Sequence, residues 1–256
     1  MTAAEFMEQL FRADDPAGAF DRETCDTLKA GDPEREISRV AVTMFGTPAV
    51  LRAAAEWGAE LLIVHEPMFF DHMDRERGTP VAQLKLQLLR ETGLTVYRYH
   101  DYIHFRQKDG IHEGFLKESG LQGTMLKPRI FVLDNPMTGR ELLEFLRQKL
   151  DLATPRLAGT PDVPFRTLAL YLGSGAGLLE AISDPAVDVL ICGEVSEWKV
   201  SEYVKEAAEF GIAKAVLALG HTGSERDGMK LFAEEQQKLH PELAFRYFES
   251  GEVYLK

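Results

Sequence analysis

Three short stretches of this chain carry side chains of the kinds that bind metal ions or move protons. The first is His221-Thr-Gly-Ser-Glu225. Four residues apart, the imidazole and the carboxylate share one face of any helix that opens near the Ser-Glu step. Together they suit Zn²⁺, Mn²⁺ or Fe²⁺, because imidazole is a borderline ligand and carboxylate a hard one. The same residues also suit a plain helix start, with Ser224 as cap and Glu225 favoured by the helix dipole. The second stretch is His65-Glu66-Pro67, at the end of the apolar run ELLIV. Neighbouring side chains on a strand point to opposite faces, so both reach one site only where the chain bends. Pro67 stops ladder hydrogen bonding and favours such a bend. The alternative is a histidine satisfied by a carbonyl at a sheet edge beside an exposed glutamate. The third stretch is His100-Asp-Tyr-Ile-His104. A spacing of four puts its two histidines on one side, whether the segment is strand or helix. Five of the seven histidines fall between residues 65 and 112, a concentration that a merely solvated loop does not explain. Two of those five, His72 and His112, lie in polar stretches and are expected at the surface.

A glycine-rich turn, Leu172-Gly-Ser-Gly-Ala-Gly177, joins a predicted strand to a predicted helix. Its backbone N–H groups could cradle an anionic oxygen, which makes Ser174 and Gly175 candidate substrate contacts. Glycines also permit tight turns without a ligand, and the segment has neither a P-loop ending nor G-x-G-x-x-G spacing. No Ser-His-Asp arrangement stands out. Cys25 and Cys192 are too few for a disulfide framework, and Cys192 sits in an apolar run that suits a buried thiol.

These residues need elements to position them. The N-terminal MTAAEFMEQLFRADD reads as an amphipathic helix with Phe6, Leu10 and Phe11 on one side. From Arg39 the pattern is strand (VAVTM), small-residue turn, helix (AVLRAAAEWGA) and strand (ELLIV), a βαβ crossover that runs straight into His65. The helix VAQLKLQLLRETG and the strand LTVYRY extend it to βαβαβ, ending at His100. PRIFVLD then leads to Thr138-Gly-Arg-Glu141, whose spacing is that of a capping box, and to the helix ELLEFLRQKL. RVAVTMFGTPAVLRAAAEWGAELLIVHE lines up with RTLALYLGSGAGLLEAISDPAVDVLICGE, so the α/β unit is duplicated. LAFRYFESGEVYLK alternates around Ser250-Gly251 and is expected to supply closing strands. In open parallel sheets, ligands collect beyond the carboxyl ends of strands, and His65, His100, His104 and His221 each fall just past a predicted strand end.

Composition narrows the function. The 256 residues are 45% hydrophobic and 27% charged, an ordinary globular balance that can bury a real core. A net charge of −12 repels a phosphate backbone and argues against nucleic acid. No stretch approaches the roughly 20 apolar residues of a membrane span, and the N-terminus does not read as a signal peptide. A cytoplasmic protein is the expectation.

Taken in order, LLIVHEP, VYRYHDYIH, LYLGSGAG, LICGEVSEW and GHTGSE resemble the NIF-three-like dinuclear metal-centre proteins, some of them described as GTP cyclohydrolase I type enzymes. The resemblance covers roughly residues 38 to 256. It implies two divalent ions, of Zn, Fe, Mn, Ni or Co, held by His65, Glu66, His104, His221 and Glu225. Two of these positions depart from the family pattern, in which a histidine stands at 66 and an aspartate at 104. The exchange is reciprocal, so the ligand inventory of three imidazoles and two carboxylates is kept. Glu194 takes the place of a family aspartate, a family histidine falls on Trp198, and an N-terminal Asp-Asn-x-Gly-Leu segment has no clear counterpart. The resemblance further implies an α/β fold of two intertwined, similar three-layer α/β/α repeats with mostly parallel mixed sheets, assembled as a homohexamer. Residues 1–126 and 216–256 would form the first domain, with most of the ligands, and residues 127–215 the second, with the glycine-rich turn.

Two metals about 3.5–4 Å apart activate water for attack on carbon or phosphorus, so hydrolysis is the chemistry expected. On this reading the substrate is a small, nucleotide-like molecule, with cyclohydrolase-type ring opening the most concrete form. His100 would carry a proton to the departing nitrogen, and Ser174 with nearby amides would hold phosphate. The rival is a non-catalytic metal-binding or scaffold protein that forms an oligomeric ring.

Overall fold

The structure, a computed structural model, describes residues 1–254. In chain order its elements are α1 (Ala3–Asp14), β1 (Leu28–Ala30), β2 (Arg39–Thr43), α2 (Pro48–Trp57), β3 (Leu61–Val64), α3 (Pro80–Thr92), β4 (Thr95–Arg98), α4 (Asp101–Phe105) and α5 (Gly110–Ser119). There follow β5 (Gly123–Lys127), β6 (Ile130–Thr138), α6 (Gly139–Lys149), β7 (Arg156–Gly159), β8 (Pro164–Tyr171), α7 (Leu178–Ser183) and β9 (Val189–Cys192). A π-helical turn (Glu197–Ser201), α8 (Glu202–Glu209), β10 (Ala215–Ala218), α9 (His221–Leu239) and β11 (Ala244–Tyr247) complete the order. The chain is a mixed α/β protein with two mixed sheets, and it divides into two compact units. The first is Met1–Gly114 with Gly228–Ser250; the second is Phe115–Asp227 with the described residues from Gly251 to Tyr254.

In the first unit the sheet order is β1-β4-β3-β2-β11. β11, β2, β3 and β4 run parallel, and β1 closes the edge antiparallel to β4. All four residues of β3 are buried, as expected of a strand covered on both faces. Leu62 and Val64 pack with Val50, Leu51, Leu88 and Leu89 of α2 and α3. On Tyr99, just past β4, the ring of Phe232 from α9 lies 4.8 Å away. Thr47 caps α2 and Thr79 caps α3, each followed by a proline in the first turn.

The sheet of the second unit runs β5-β6-β8-β9-β10-β7. Its centre, β8, β9 and β10, is parallel, and β5, β6 and β7 pair antiparallel. The β8-α7-β9 crossover repeats the β2-α2-β3 crossover of the first unit, as the internal duplication requires. Thr138 and Glu141 form the expected reciprocal cap at the start of α6. The C-terminal pattern yields less than its alternation promised. β11 forms and pairs with β2, but neither the expected turn at Ser250-Gly251 nor a second strand after it forms among the described residues, and Leu255 and Lys256 lie outside them. Among the described residues no helix is long and apolar enough to cross a membrane.

Candidate functional site

The first unit gathers His65, Glu66, His100 and His104. β3 delivers His65 into a position with no solvent exposure, and Glu66 is 6% exposed. The bend expected at Pro67 is real, because the carboxylate of Glu66 turns back to lie 3.8 Å from Nε2 of His65 and 3.8 Å from Nε2 of His100. His100 and His104 flank one turn of the short helix α4. Ring centroids are 4.6 Å apart for His65 and His100, 5.3 Å for His65 and His104, and 5.0 Å for His100 and His104. One ring nitrogen from each of these three histidines lies within 4.8 Å of the other two.

What fixes each ring is its other nitrogen. Nδ1 of His65 is 3.0 Å from the carbonyl oxygen of Tyr99, an atom that can only accept. Nδ1 of His100 is 3.1 Å from a carboxylate oxygen of Asp101, and Nδ1 of His104 is 2.9 Å from one of Asp109. Burial would raise both aspartates, but the imidazole hydrogen bonds and charges outweigh it and hold each carboxyl well below the usual range. Each Nδ1 therefore donates, and Nε2 is left as the basic nitrogen. Burial, then the neighbouring His100, also drives the pKa of His65 well below that of free imidazole, which keeps it neutral.

The loop between β3 and α3 is held from beneath by buried cations. Arg98, fully buried, donates from Nε to the carbonyl of His65 at 2.9 Å and from Nη1 to that of His72, and its Nη2 lies 3.8 Å from Glu66. Lys29 pairs with Asp74 at 3.0 Å, and Lys85 donates to the carbonyl of Met68 at 2.8 Å. The start of α4 is clamped from the N-terminal segment, where the carboxylate of Asp26 accepts N–H bonds from His100, Asp101 and Tyr102 at 2.7, 3.0 and 2.9 Å. Phe11 and Phe20 stack against Tyr102 at 4.6 and 4.8 Å. None of these supports has a spacing signal in the sequence, since Asp26 and Arg98 act far from their own neighbours in the chain. Of the groups that hold the rings, Asp101, next to His100, and Asp109, five residues after His104, are within reach of a local reading.

His72 is exposed, as expected. His112 is not at the surface. It is 9% exposed in the first turns of α5, with Nδ1 3.8 Å from the same Asp109, because the polar residues around it form a helix start rather than a loop. Cys25, His72 and Asp101 form another group with ligand-type atoms close together. Burial, however, pushes the Cys25 thiol far above its ordinary value, which disfavours the thiolate a metal would need.

In the second unit α9 opens at His221 itself, earlier than the Ser-Glu step, so His221 and Glu225 share a face from the first turn. Nε2 of His221 is 3.2 Å from Glu225, and Nδ1 is 2.6 Å from Glu194, the residue just past β9. Ser224 is no cap. Its hydroxyl donates to the carbonyl of His221 at 2.9 Å and accepts the N–H of Gly173 at 3.0 Å. The glycine-rich turn thus packs on the start of α9. A Cβ on Gly173, at φ +67, would lie 2.3 Å from the Glu225 carboxylate, and one on Gly193 would lie 2.4 Å from the Gly173 carbonyl. Here glycine is required by close approach and, at 173, by backbone conformation. Ser174 is exposed and Gly175 half-buried on the outer part of the turn. A cleft of about 230 Å³ opens beside His221, with Arg156, Glu194 and Glu252 among its polar walls. Trp198, at the position of the family histidine, is 80% exposed.

This two-unit α/β chain carries an imidazole cluster past its strand ends, with ligand atoms close enough to hold a metal ion, and a helix-borne His-Glu pair. Residues 6–251 match the family Duf34/NIF3 (NGG1p interacting factor 3), and the chain belongs to that family. Among curated relatives, a "GTP cyclohydrolase 1 type 2 homolog" of Clostridium acetobutylicum is 27% identical, the alignment covering 77% of this chain and 76% of that one. A protein of the same description from Clostridium perfringens is 24% identical over 77% of each chain. Among solved structures, the Bacillus cereus protein related to NIF3 superposes with a TM-score of 0.79 at 13% identity, covering 99% of this chain and 98% of the other.

Proposed function

We propose that this protein is a dinuclear-metal-dependent hydrolase of a small, nucleotide-like substrate, with GTP cyclohydrolase-type ring opening as the most concrete form. The observation that carries the reading is the cluster of imidazoles in which each Nδ1 is already committed to an acceptor and one nitrogen of each meets the others within 4.8 Å. The donor chemistry fits divalent Zn, Fe, Mn, Ni or Co. His65, Glu66, His104, His221 and Glu225 are the proposed ligands of two ions. When bound, such ions supply a Lewis acid and an activated water. Arg98 and Asp109 orient the first group, Glu194 and Gly173 the second. The cleft beside His221 has room for part of a nucleotide, and Arg156 in its wall suits an anionic group. Ser174 and Gly175 are proposed as further substrate contacts. The descriptions of the curated relatives support the cyclohydrolase form.

The departures at positions 66, 104 and 198 favour one rival, a non-catalytic metal-binding or scaffold protein, working as a homo-oligomeric ring such as a hexamer in the cytoplasm. Both readings are tested by metal analysis of the purified protein beside a His65→Ala/His221→Ala double variant, followed by assay of the metal-loaded protein with GTP, phosphoesters and cyclic amides. Two ions per chain, lost in the variant, with turnover of any of these, is the expected result. Two ions without turnover leave the non-catalytic metal-binding reading, and no ions after reconstitution remove the hydrolase and leave only the scaffold.

A further inference from the structure

The five proposed ligands leave out His100, whose sequence suggested a proton carrier. Its surroundings describe something else. Its Nδ1 is held by Asp101 in the same way that His104 is held by Asp109 and His65 by the Tyr99 carbonyl. A carboxylate or carbonyl on the far nitrogen is the support that metal-bound histidines characteristically carry, since it fixes both tautomer and ring orientation. Three histidines with that support, in one place, are more than a proton carrier requires.

The near side agrees. Nε2 of His65 and Nε2 of His100 stand at the same 3.8 Å from one oxygen of Glu66. Ligand atoms around a tetrahedral ion with bonds of about 2.0–2.1 Å are separated by roughly 3.3 Å, so a small inward movement of these side chains would enclose an ion. The other Glu66 oxygen faces Arg98 at 3.8 Å, which leaves this carboxylate partly neutralised and the imidazoles as the principal donors.

We propose that His100 is a metal ligand, and that His65, His100 and His104 form a three-imidazole site for a borderline divalent cation that the first unit holds by its own side chains. The inference rests on the reading of His65 and His104 as ligands, and it adds a residue that the five-ligand set lacks. It makes the two metal positions unequal, one dominated by nitrogen and the other by carboxylate oxygen. It also removes His100 from proton transfer, because its basic nitrogen is used.

The test is cobalt(II) and cadmium-113 binding to the full chain. In the wild type loaded with one equivalent of cadmium-113, nitrogen-15 spectra should show metal coupling at Nε2 of His65, His100 and His104. His100→Ala should weaken cobalt(II) binding at this position by at least tenfold and alter its visible bands, while His221→Ala/Glu225→Ala leaves those bands in place. If His100 Nε2 shows no coupling while His65 and His104 are coupled, the proposal is overturned and the five-ligand reading stands. If none of the three couples, the metal reading of this unit fails with it. The coupling experiment uses unaltered protein, so a folding defect in His100→Ala does not decide the outcome.

Discussion

The two units place metal-type side chains by opposite strategies. In the first, the rings come from a strand end and a five-residue helix, and they are steered by groups beyond them: Arg98, Asp101, Asp109 and Asp26. In the second, His221 and Glu225 sit one turn apart on a long helix, and the glycine-rich turn presses against them closely enough that no side chain fits at position 173. One group is oriented by buried charge and the other by shape. The first is rich in imidazole, the second in carboxylate, so the same metal should not be preferred equally by both.

The largest expected effect lies in the charge-steered unit. Arg98→Met removes a guanidinium with no solvent exposure that faces Glu66 and Asp74 and holds two loop carbonyls. Breaking a buried ionic network of this kind costs about 3–5 kcal/mol, which urea denaturation would register as a large fall in midpoint. A loss below about 1 kcal/mol would mean that the loop does not depend on the cation.

Next comes the support behind a ring. Asp109→Asn should weaken metal binding in the first unit by about 10–100-fold, the usual worth of such partners. Glu194→Gln, the equivalent change behind His221, should do less, because that carboxylate is 60% exposed and solvent screens it. Titration with a chromophoric chelator compares the two, and equal losses would erase the distinction between the units.

In the shape-steered unit, Gly173→Ala forces a Cβ into left-handed backbone and against the Glu225 carboxylate. The strain is worth about 1–3 kcal/mol, visible as a lower melting temperature. Binding at His221 and Glu225 should fall while the three-imidazole group keeps its affinity.

The smallest effect is a pH dependence. Burial pushes Asp14 up to about 6, against the opposing pull of its hydrogen bond from Tyr99 and the charge of Arg106. The folded state therefore binds this proton more tightly than the unfolded chain, whose carboxyl is ordinary. The resulting stabilisation is complete below pH 4 and fades as pH rises through 6. Discounted for partial exposure, it amounts to about 1–2 kcal/mol. Melting temperatures at pH 5 and 7.5 should differ by less in Asp14→Asn than in the wild type, and an unchanged difference would assign the dependence to other groups.

Much of the scaffold could be read from residue order. The apolar run ending at His65, the spacing of His100 and His104, the cap at Thr138 and the duplicated crossover are local or periodic signals, and each appears in the structure. The edge strands β1, β5 and β7 are short or largely exposed and lack a strong pattern. The supports of the imidazoles were hidden for a different reason. Asp26 reaches His100 across 74 residues and Arg98 reaches the His65 carbonyl across 33, and no spacing rule connects them. The glycine-rich turn suggested an anion cradle because glycine permits many uses, and only the nearness of Glu225 identifies what position 173 must accommodate.

The clamp of Asp26 on α4 also provides a clock. The amides of His100, Asp101 and Tyr102 give their hydrogens to one carboxylate contributed by the N-terminal segment. Their exchange with deuterium therefore times the parting of that segment from the helix, separately from the unfolding of the sheet. A cation gripping His100 and His104 would slow those three amides together and leave the exposed face of α3 unchanged, so occupancy could be followed hydrogen by hydrogen without any knowledge of the substrate.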